Sequence, residues 1–248
     1  MSALSWDYIA KLVCIGDSGT GKSSLTVRLC EGRFSPHHDV TIGVEFGSRI
    51  IPVGPPNSEA FHPQSNRRGE VPASKSAAAE SDVPQKYMKL SLWDTAGQET
   101  YKSVTRSYFR GASGALLVFD ISRRPTFEHV TDWLNDLRQI AEPDIVVVLV
   151  GNKSDLAMGE ESKREVSVEE AEHWAKRNGV LEYVETSAKS GEGVEMAFAR
   201  VAERIYTNIE AGKYDLNDRR SGVKGPGAGG SRTNVKLVPQ KAVGGGCC

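Results

Sequence analysis

The sequence predicts an α/β fold, a mostly parallel sheet with helices on both faces. Three observations predict it. Apolar runs rich in β-branched residues (KLVCIG, GALLVFD, DIVVVLVG) recur without polar alternation, as in strands buried on both sides. Between them lie segments whose apolar residues fall at helical spacing. The two kinds alternate along the chain, the pattern of parallel strands joined by crossover helices. A length of 248 residues and a formal net charge of −1 suit one mid-sized domain with additions.

AKLVCIG reads as the first buried strand, and GKSSLTVRLCEG as a helix closed by Gly32. TIGVEFGSRIIPV and YMKLSLWD read as the next two strands, and GALLVFD and DIVVVLVG as two more. Between this last pair, PTFEHVTDWLNDLRQIAE is amphipathic, with Phe127, Val130, Leu134, Leu137 and Ile140 on one face. Ser167 and Glu170 have the spacing of a capping box, which opens the helix AEHWAKRNG. The final helix carries Val194, Phe198, Val201, Ile205 and Ile209 on one face and ends near Gly212.

Two stretches have no core pattern. Residues 52–87 hold six prolines among small and polar residues and read as a disordered loop. Residues 213–248 are rich in glycine, with seven Lys or Arg against two Asp, and read as a flexible, mildly basic tail. The expected organisation is therefore a flexible 1–7, a domain over 8–212 interrupted by 52–87, and a tail from 213. The four cysteines are Cys14, Cys30, Cys247 and Cys248. No secretory signal or membrane-length apolar run is evident, so a reducing, cytosolic setting is expected.

GDSGTGKSS follows the first strand and opens the first helix. Gly16, Gly21, Lys22 and Ser23 satisfy the phosphate-loop pattern in its required context. Glycines let backbone N–H groups surround phosphate oxygens, and the helix N-terminus favours anions. Lys22 supplies a cation for the outer phosphates, and the Ser23 hydroxyl is a hard ligand for Mg²⁺. GNKSD, at the end of a later strand, names the base. Asp155 can accept from N1–H and the 2-amino group of guanine, a donor pair that adenine lacks. Asn152 can meet ring acceptors, and the Lys153 stem can cover the base. ETSAK follows the next strand. There the Ala188 N–H can reach the guanine oxygen while Ser187 and Lys189 brace the loop. In WDTAGQE, Asp94 is placed to hold Mg²⁺ through water, Gly97 to offer its N–H to a γ-phosphate, and Gln98 to orient the attacking water. Thr41 is the candidate second hydroxyl on the metal. Phe34 is a candidate to pack edge-on against guanine, with ordinary loop packing as the alternative.

In this order the motifs resemble the Ras superfamily of small GTPases, from about residue 8 to residue 212. IGVEF, KLSLWD, YFRGA and LVFDIS are similar to segments that mark Rab (Ypt) proteins, and SVTRSYFRGASGALLVFDISRRPTFEHVTDWL looks closest to the Golgi and early-endosome branch. The resemblance implies a six-stranded, Ras-like domain that hydrolyses GTP to GDP, slowly alone and faster with an activating protein, with Mg²⁺ as cofactor. It assigns GTP contacts to Ser18, Gly19, Thr20, Gly21, Lys22, Ser23 and Ser24, with Lys22 and Gln98 catalytic. It implies an effector surface at Ile42, Phe46, Trp93 and Tyr108, for which core packing is the plainer role. It also explains the end of the sequence, because Rab chains commonly close on two geranylgeranylated cysteines, here Cys247 and Cys248. Two lipid chains give a stable anchor where one is marginal. The implied partners are an exchange factor, an activating protein, effectors, an escort protein, a prenyl-binding dissociation inhibitor and a membrane, with no nucleic acid. The expected location is the cytoplasmic face of Golgi or early-endosomal membranes, with a cytosolic pool.

Three features depart from the family patterns: Ser18 stands where Ras-like chains have glycine, although Rabs often tolerate serine there, Thr100 stands where Rabs usually show arginine, and the 52–87 insertion falls where Rabs have a tight hairpin. Two other classes fit part of the sequence. A nucleotide kinase or ATPase would share only the phosphate loop, and Asp155 with the SAK loop argues against it. A scaffold without hydrolysis would have no use for Gln98, Lys22, Ser23 and Thr41 together.

Overall fold

In a computed structural model, residues 5–36, 40–56, 84–98, 102–157, 161–218 and 221–225 are described. The strands are β1 (Tyr8–Ile15), β2 (Val44–Val53), β3 (Lys86–Thr95), β4 (Gly114–Asp120), β5 (Val146–Asn152), β6 (Tyr183–Thr186) and β7 (Val223–Lys224). The helices are α1 (Lys22–Glu31), α2 (Lys102–Ser107), α3 (Arg124–Glu128), α4 (Val130–Arg138), α5 (Val168–Arg177) and α6 (Val194–Glu210). The sheet order is β2-β3-β1-β4-β5-β6, with β7 added beside β1. β1, β3, β4, β5 and β6 run parallel, while β2 is antiparallel to β3.

Alternation along β1 explains the two-sided core. Ala10, Leu12 and Cys14 face a layer that holds Leu25 and Leu29 of α1 and Phe198, Val201 and Ile205 of α6. Val13 and Ile15 face the other layer, with Val130, Trp133 and Leu134 of α4 and Ala171 and Ala175 of α5. The amphipathic segment expected as one helix is two, α3 and α4, which meet at His129. Gly32 closes α1 with a left-handed φ of 70°, and its N–H bonds the Arg28 carbonyl. The Ser167 hydroxyl caps α5 by accepting from the Glu170 N–H at 3.1 Å.

The structure corrects the expected boundaries at three places. The β2–β3 ladder runs as far as Val53 opposite Lys86, so the insertion begins later and ends earlier than 52–87. Pro52 is tolerated because β2 is an edge strand and needs no N–H on its open side. Residues 57–83 of the insertion lie outside the described residues. At the other end of the expected domain, Asp7 is no loose arm. Its carboxylate accepts from the Tyr87 N–H at 2.9 Å and from Lys86 Nζ at 3.0 Å.

The third correction is the largest. The domain continues past 212, and residues 213–218 and 221–225 form a strap on the sheet. Tyr214 and Leu216 pack against the α6-side core, and Val223 is fully buried there. β7 pairs with Ile9 and Ala10, just where β4 has not yet begun alongside β1. Gly222 permits this approach: its carbonyl accepts the Lys11 N–H at 2.9 Å, and a Cβ there would strike the Gly111 carbonyl oxygen. The Val223→Asp variant should therefore lose about 2–4 kcal/mol of unfolding free energy, because it buries an unpaired charge. GDP affinity should hardly change, because β7 lies at the end of β1 opposite the phosphate loop. Urea unfolding and nucleotide titration of the purified variant check both parts.

Candidate functional site

The carboxyl ends of β1, β3, β5 and β6 converge on a cleft of about 500 Å³. Such edges are where ligands bind in open α/β sheets, because the loops leave the strands there. Ser18, Gly19, Gly21, Lys22, Ser23, Ser24, Phe34, Thr41, Gly97, Asn152, Lys153, Asp155, Ala188 and Lys189 line it. Thr20, Asp94 and Ser187 are buried and are not part of that lining. Gln98 is half-buried beside Gly97 and is not part of the lining either. Thr100, Cys247 and Cys248 lie outside the described residues.

The phosphate loop ends at Gly21, the N-cap of α1, with φ 95°. Lys22 is buried, and its ammonium donates to the carbonyls of Gly16 and Asp17 at 2.8 Å each. Burial holds its pKa below the usual lysine value, while the Asp94 charge opposes that shift. Gly97 packs directly over this loop. Its carbonyl accepts the Ser18 N–H at 3.0 Å, and a Cβ would strike the Gly16 carbonyl oxygen and the Lys22 ammonium. The segment after β3 is thus tied to the phosphate loop through backbone alone.

The metal-binding expectation can be tested on three side chains. The Ser23 and Thr41 hydroxyl oxygens lie 2.8 Å apart, which brings the loop before β2 to the start of α1. Asp94 is 1% exposed, and neither of its carboxylate oxygens has a hydrogen-bond partner among the described residues. Burial pushes its carboxyl up to about 6, against the opposing influence of Ser23 and Lys22. A buried carboxylate by the Ser23 hydroxyl, which itself meets that of Thr41, is a hard-oxygen set suited to a divalent cation such as Mg²⁺. The cation would neutralise phosphate charge, and Ser23, Thr41 and Asp94 would hold it.

On the base side, Asn152 is 1% exposed, and both polar atoms of its amide are held by neighbouring loops. Its Nδ2 donates to the Thr20 carbonyl at 2.8 Å, and its Oδ1 accepts from the Thr186 hydroxyl and the Ala188 N–H at 3.2 Å each. Asp155 accepts from the Ser187 hydroxyl at 2.6 Å, and Lys189 Nζ stands 4.0 Å from its other oxygen. Lys153 has a left-handed φ of 70°, unusual for a side chain with a Cβ. Its ammonium is anchored 2.7 Å from Asp120, a carboxylate only 1% exposed at the end of β4. Sequence reading missed Asp120 as a site residue, although an acid that ends an otherwise apolar strand was the available signal. It also missed Asp17, whose carboxylate bonds His129 Nδ1 at 2.7 Å and accepts from Trp133 Nε1 at 2.8 Å.

The proposed effector residues lie on another surface. Phe46 meets Trp93 edge-on at 4.6 Å, and Trp93 leans on Tyr108 at 5.5 Å. Ile42 is 78% and Phe46 66% exposed. The Lys11 ammonium sits 3.9 Å over the Trp93 ring.

Asp94→Asn should make GDP affinity insensitive to chelation of Mg²⁺, whereas the wild type should weaken on adding EDTA. In the metal-free state the variant should melt no lower than wild type at pH 8. A buried carboxylate with a pKa raised to about 6 is disfavoured above that pH, and the amide removes its charge. Nucleotide titration with and without chelator, beside thermal melts, checks this.

Comparison with known families agrees with this geometry. The model of the Ras family matches residues 69–207, and that of Roc, the Ras of Complex domain of DAPkinase, matches residues 11–60. The first match covers more than half of the chain, so this protein belongs to the Ras family and is a GTPase, a GTP-binding switch that hydrolyses its nucleotide.

Proposed function

We propose that this GTPase is a Rab-type switch that regulates vesicle trafficking at Golgi or early-endosomal membranes. The observation that carries the reading is the aromatic cluster Phe46–Trp93–Tyr108, exposed at Phe46 and half-buried at the other two, which spans the two segments that also reach the nucleotide cleft. Thr41, at the metal site, lies five residues before Phe46. Gly97, on the phosphate loop, lies four after Trp93. The γ-phosphate and metal would order both segments, and hydrolysis would release them. The exposed Phe46 and Ile42 then become a patch that effectors read in one state only. The sequence segments IGVEF, KLSLWD and YFRGA support the Rab assignment.

In hydrolysis, Gln98 orients a water for attack on the γ-phosphorus, the bond from that phosphorus to the β–γ bridging oxygen breaks, and GDP and phosphate leave. Lys22 and the Gly97 N–H stabilise charge on the transferred group. Asp155, Asn152 and Ala188 read guanine, with the Lys153 stem over the base and Phe34 at the opposite edge. An exchange factor and an activating protein set the timing. Cys247 and Cys248 carry geranylgeranyl groups, added with the help of an escort protein and covered in the cytosol by a dissociation inhibitor.

Two measurements test the reading. Gln98→Leu should bind GTP as wild type does but hydrolyse it about tenfold more slowly in a single turnover, the equivalent of ~1.4 kcal/mol of lost positioning. An unchanged rate removes Gln98 from the mechanism. Replacing both Cys247 and Cys248 by serine should leave the chain entirely cytosolic with its nucleotide affinity intact. Replacing one should give weak attachment, because each buried CH₂ contributes about 0.8 kcal/mol and one chain is marginal. Membrane flotation, and imaging beside Golgi and endosome markers, decide both the anchor and the organelle.

A further inference from the structure

Arg28 stands in the last turn of α1, and its guanidinium donates three hydrogen bonds to backbone carbonyls. Nε reaches Ala188 at 2.8 Å, Nη2 reaches Lys189 at 2.6 Å, and Nη1 reaches Gly32 at 2.7 Å. These carbonyls belong to two walls of one cleft. Gly32 closes α1 two residues before Phe34, which lines one wall, and Ala188 and Lys189 line the other. A rigid fork of donors can span such a gap in a way that a single ammonium cannot.

The bonds also fix direction. In a trans peptide the C=O and N–H point to opposite sides, so holding the Ala188 carbonyl on Arg28 turns the Lys189 N–H away from α1. The Ala188 N–H is itself set by Asn152 Oδ1 at 3.2 Å. The loop is therefore gripped from the helix side by Arg28 and from the sheet side by Asn152.

We propose that Arg28 is a positioning residue for base discrimination, holding the Phe34 wall and the 187–189 loop at the spacing at which the Lys189 N–H, turned away from α1, meets the 6-oxo group of guanine. The inference rests on the base-reading role assigned to this loop above. Arg28 does not line the cleft and acts through the loop.

The test compares affinities of the Mg²⁺-loaded protein for GDP and for 2-aminopurine riboside 5′-diphosphate, which keeps the 2-amino group but lacks the 6-oxo group and, with it, the N1–H. Wild type should prefer GDP. Arg28→Ala should lose about tenfold for GDP and little for the analogue, so the preference shrinks by about the same factor. Arg28→Gln, which keeps one donor group, should fall between, and it gives the same readout if the alanine variant does not fold. Equal losses for the two nucleotides, or no loss at all, would overturn the proposal, because a merely structural role weakens whatever binds. A wild type that does not prefer GDP would instead overturn the base-reading roles of the loop and of Asp155 together, a distinct failure that takes the proposal with it.

Discussion

The side-chain amide of Asn152 joins three loops that are far apart in sequence. It donates to the Thr20 carbonyl in the phosphate loop and accepts from Thr186, the last residue of β6, and from Ala188 in the loop that follows. It is itself the last residue of β5. Phosphate binding and base binding are separate tasks carried by separate strand ends, and this amide makes them one rigid cleft. Every bond it makes is buried, so losing it would leave the Thr20 carbonyl without its partner, at about 1–3 kcal/mol for an unsatisfied buried group. Arg28 repeats the device on the outer side of the same loop, from helix rather than strand.

Charge placement around that frame follows one rule. Each buried charge meets either a counter-charge or the place where a ligand charge belongs. Asp120 has Lys153 at 2.7 Å and the Ser122 N–H and hydroxyl on its other oxygen. Arg164 and Glu185 pair at 2.6 Å and hold each other charged. Asp94 differs, since among the described residues neither of its buried oxygens has a hydrogen-bond partner, and burial raises its pKa to about 6. Asp120 and Glu185 are thus satisfied by side chains of the domain, whereas Asp94 stands by Ser23, whose hydroxyl meets that of Thr41. Desolvation that would merely cost stability elsewhere is here the means by which a hard cation is preferred to water.

Much of this was legible in the sequence because its signals are local. Continuous apolar runs gave the strands, Gly32 and Ser167 marked helix ends, and each loop of the cleft carries its own chemistry within a few residues. The sheet edge to which the loops converge follows from strand–helix alternation. What escaped has long-range causes. Arg28 reads as an ordinary charged position on a helix, and only folding brings it to carbonyls 160 residues away. Val223 is a single apolar residue among glycines and charges, too little for any periodicity, yet it fills a fully buried place beside β1. Pro52 signals a break in isolation, and its acceptance in β2 depends on that strand being at the edge.

The two ends of the sheet divide the work. At the carboxyl end of β1 lie the phosphate loop, Asp94 and the base-reading loops. At its other end lie Asp7, the strap with β7, and the turn where the insertion leaves β2. That turn is pinned as well: the Gly54 N–H donates to the two Glu203 carboxylate oxygens at 3.1 and 3.3 Å, and Gln85 Nε2 donates to the Val53 carbonyl at 2.9 Å. An insertion whose stem is held by α6 and by its own neighbour transmits little to Val44 at the far end of β2. Loop closure costs rise only logarithmically with length, so an insertion of any size there adds little to that cost. The same chain added between Thr41 and Phe46 would break the bond from Thr41 to Ser23 and the aromatic cluster together. Added length at that turn is thus separated from the carboxyl end, which keeps the spacing that its chemistry requires.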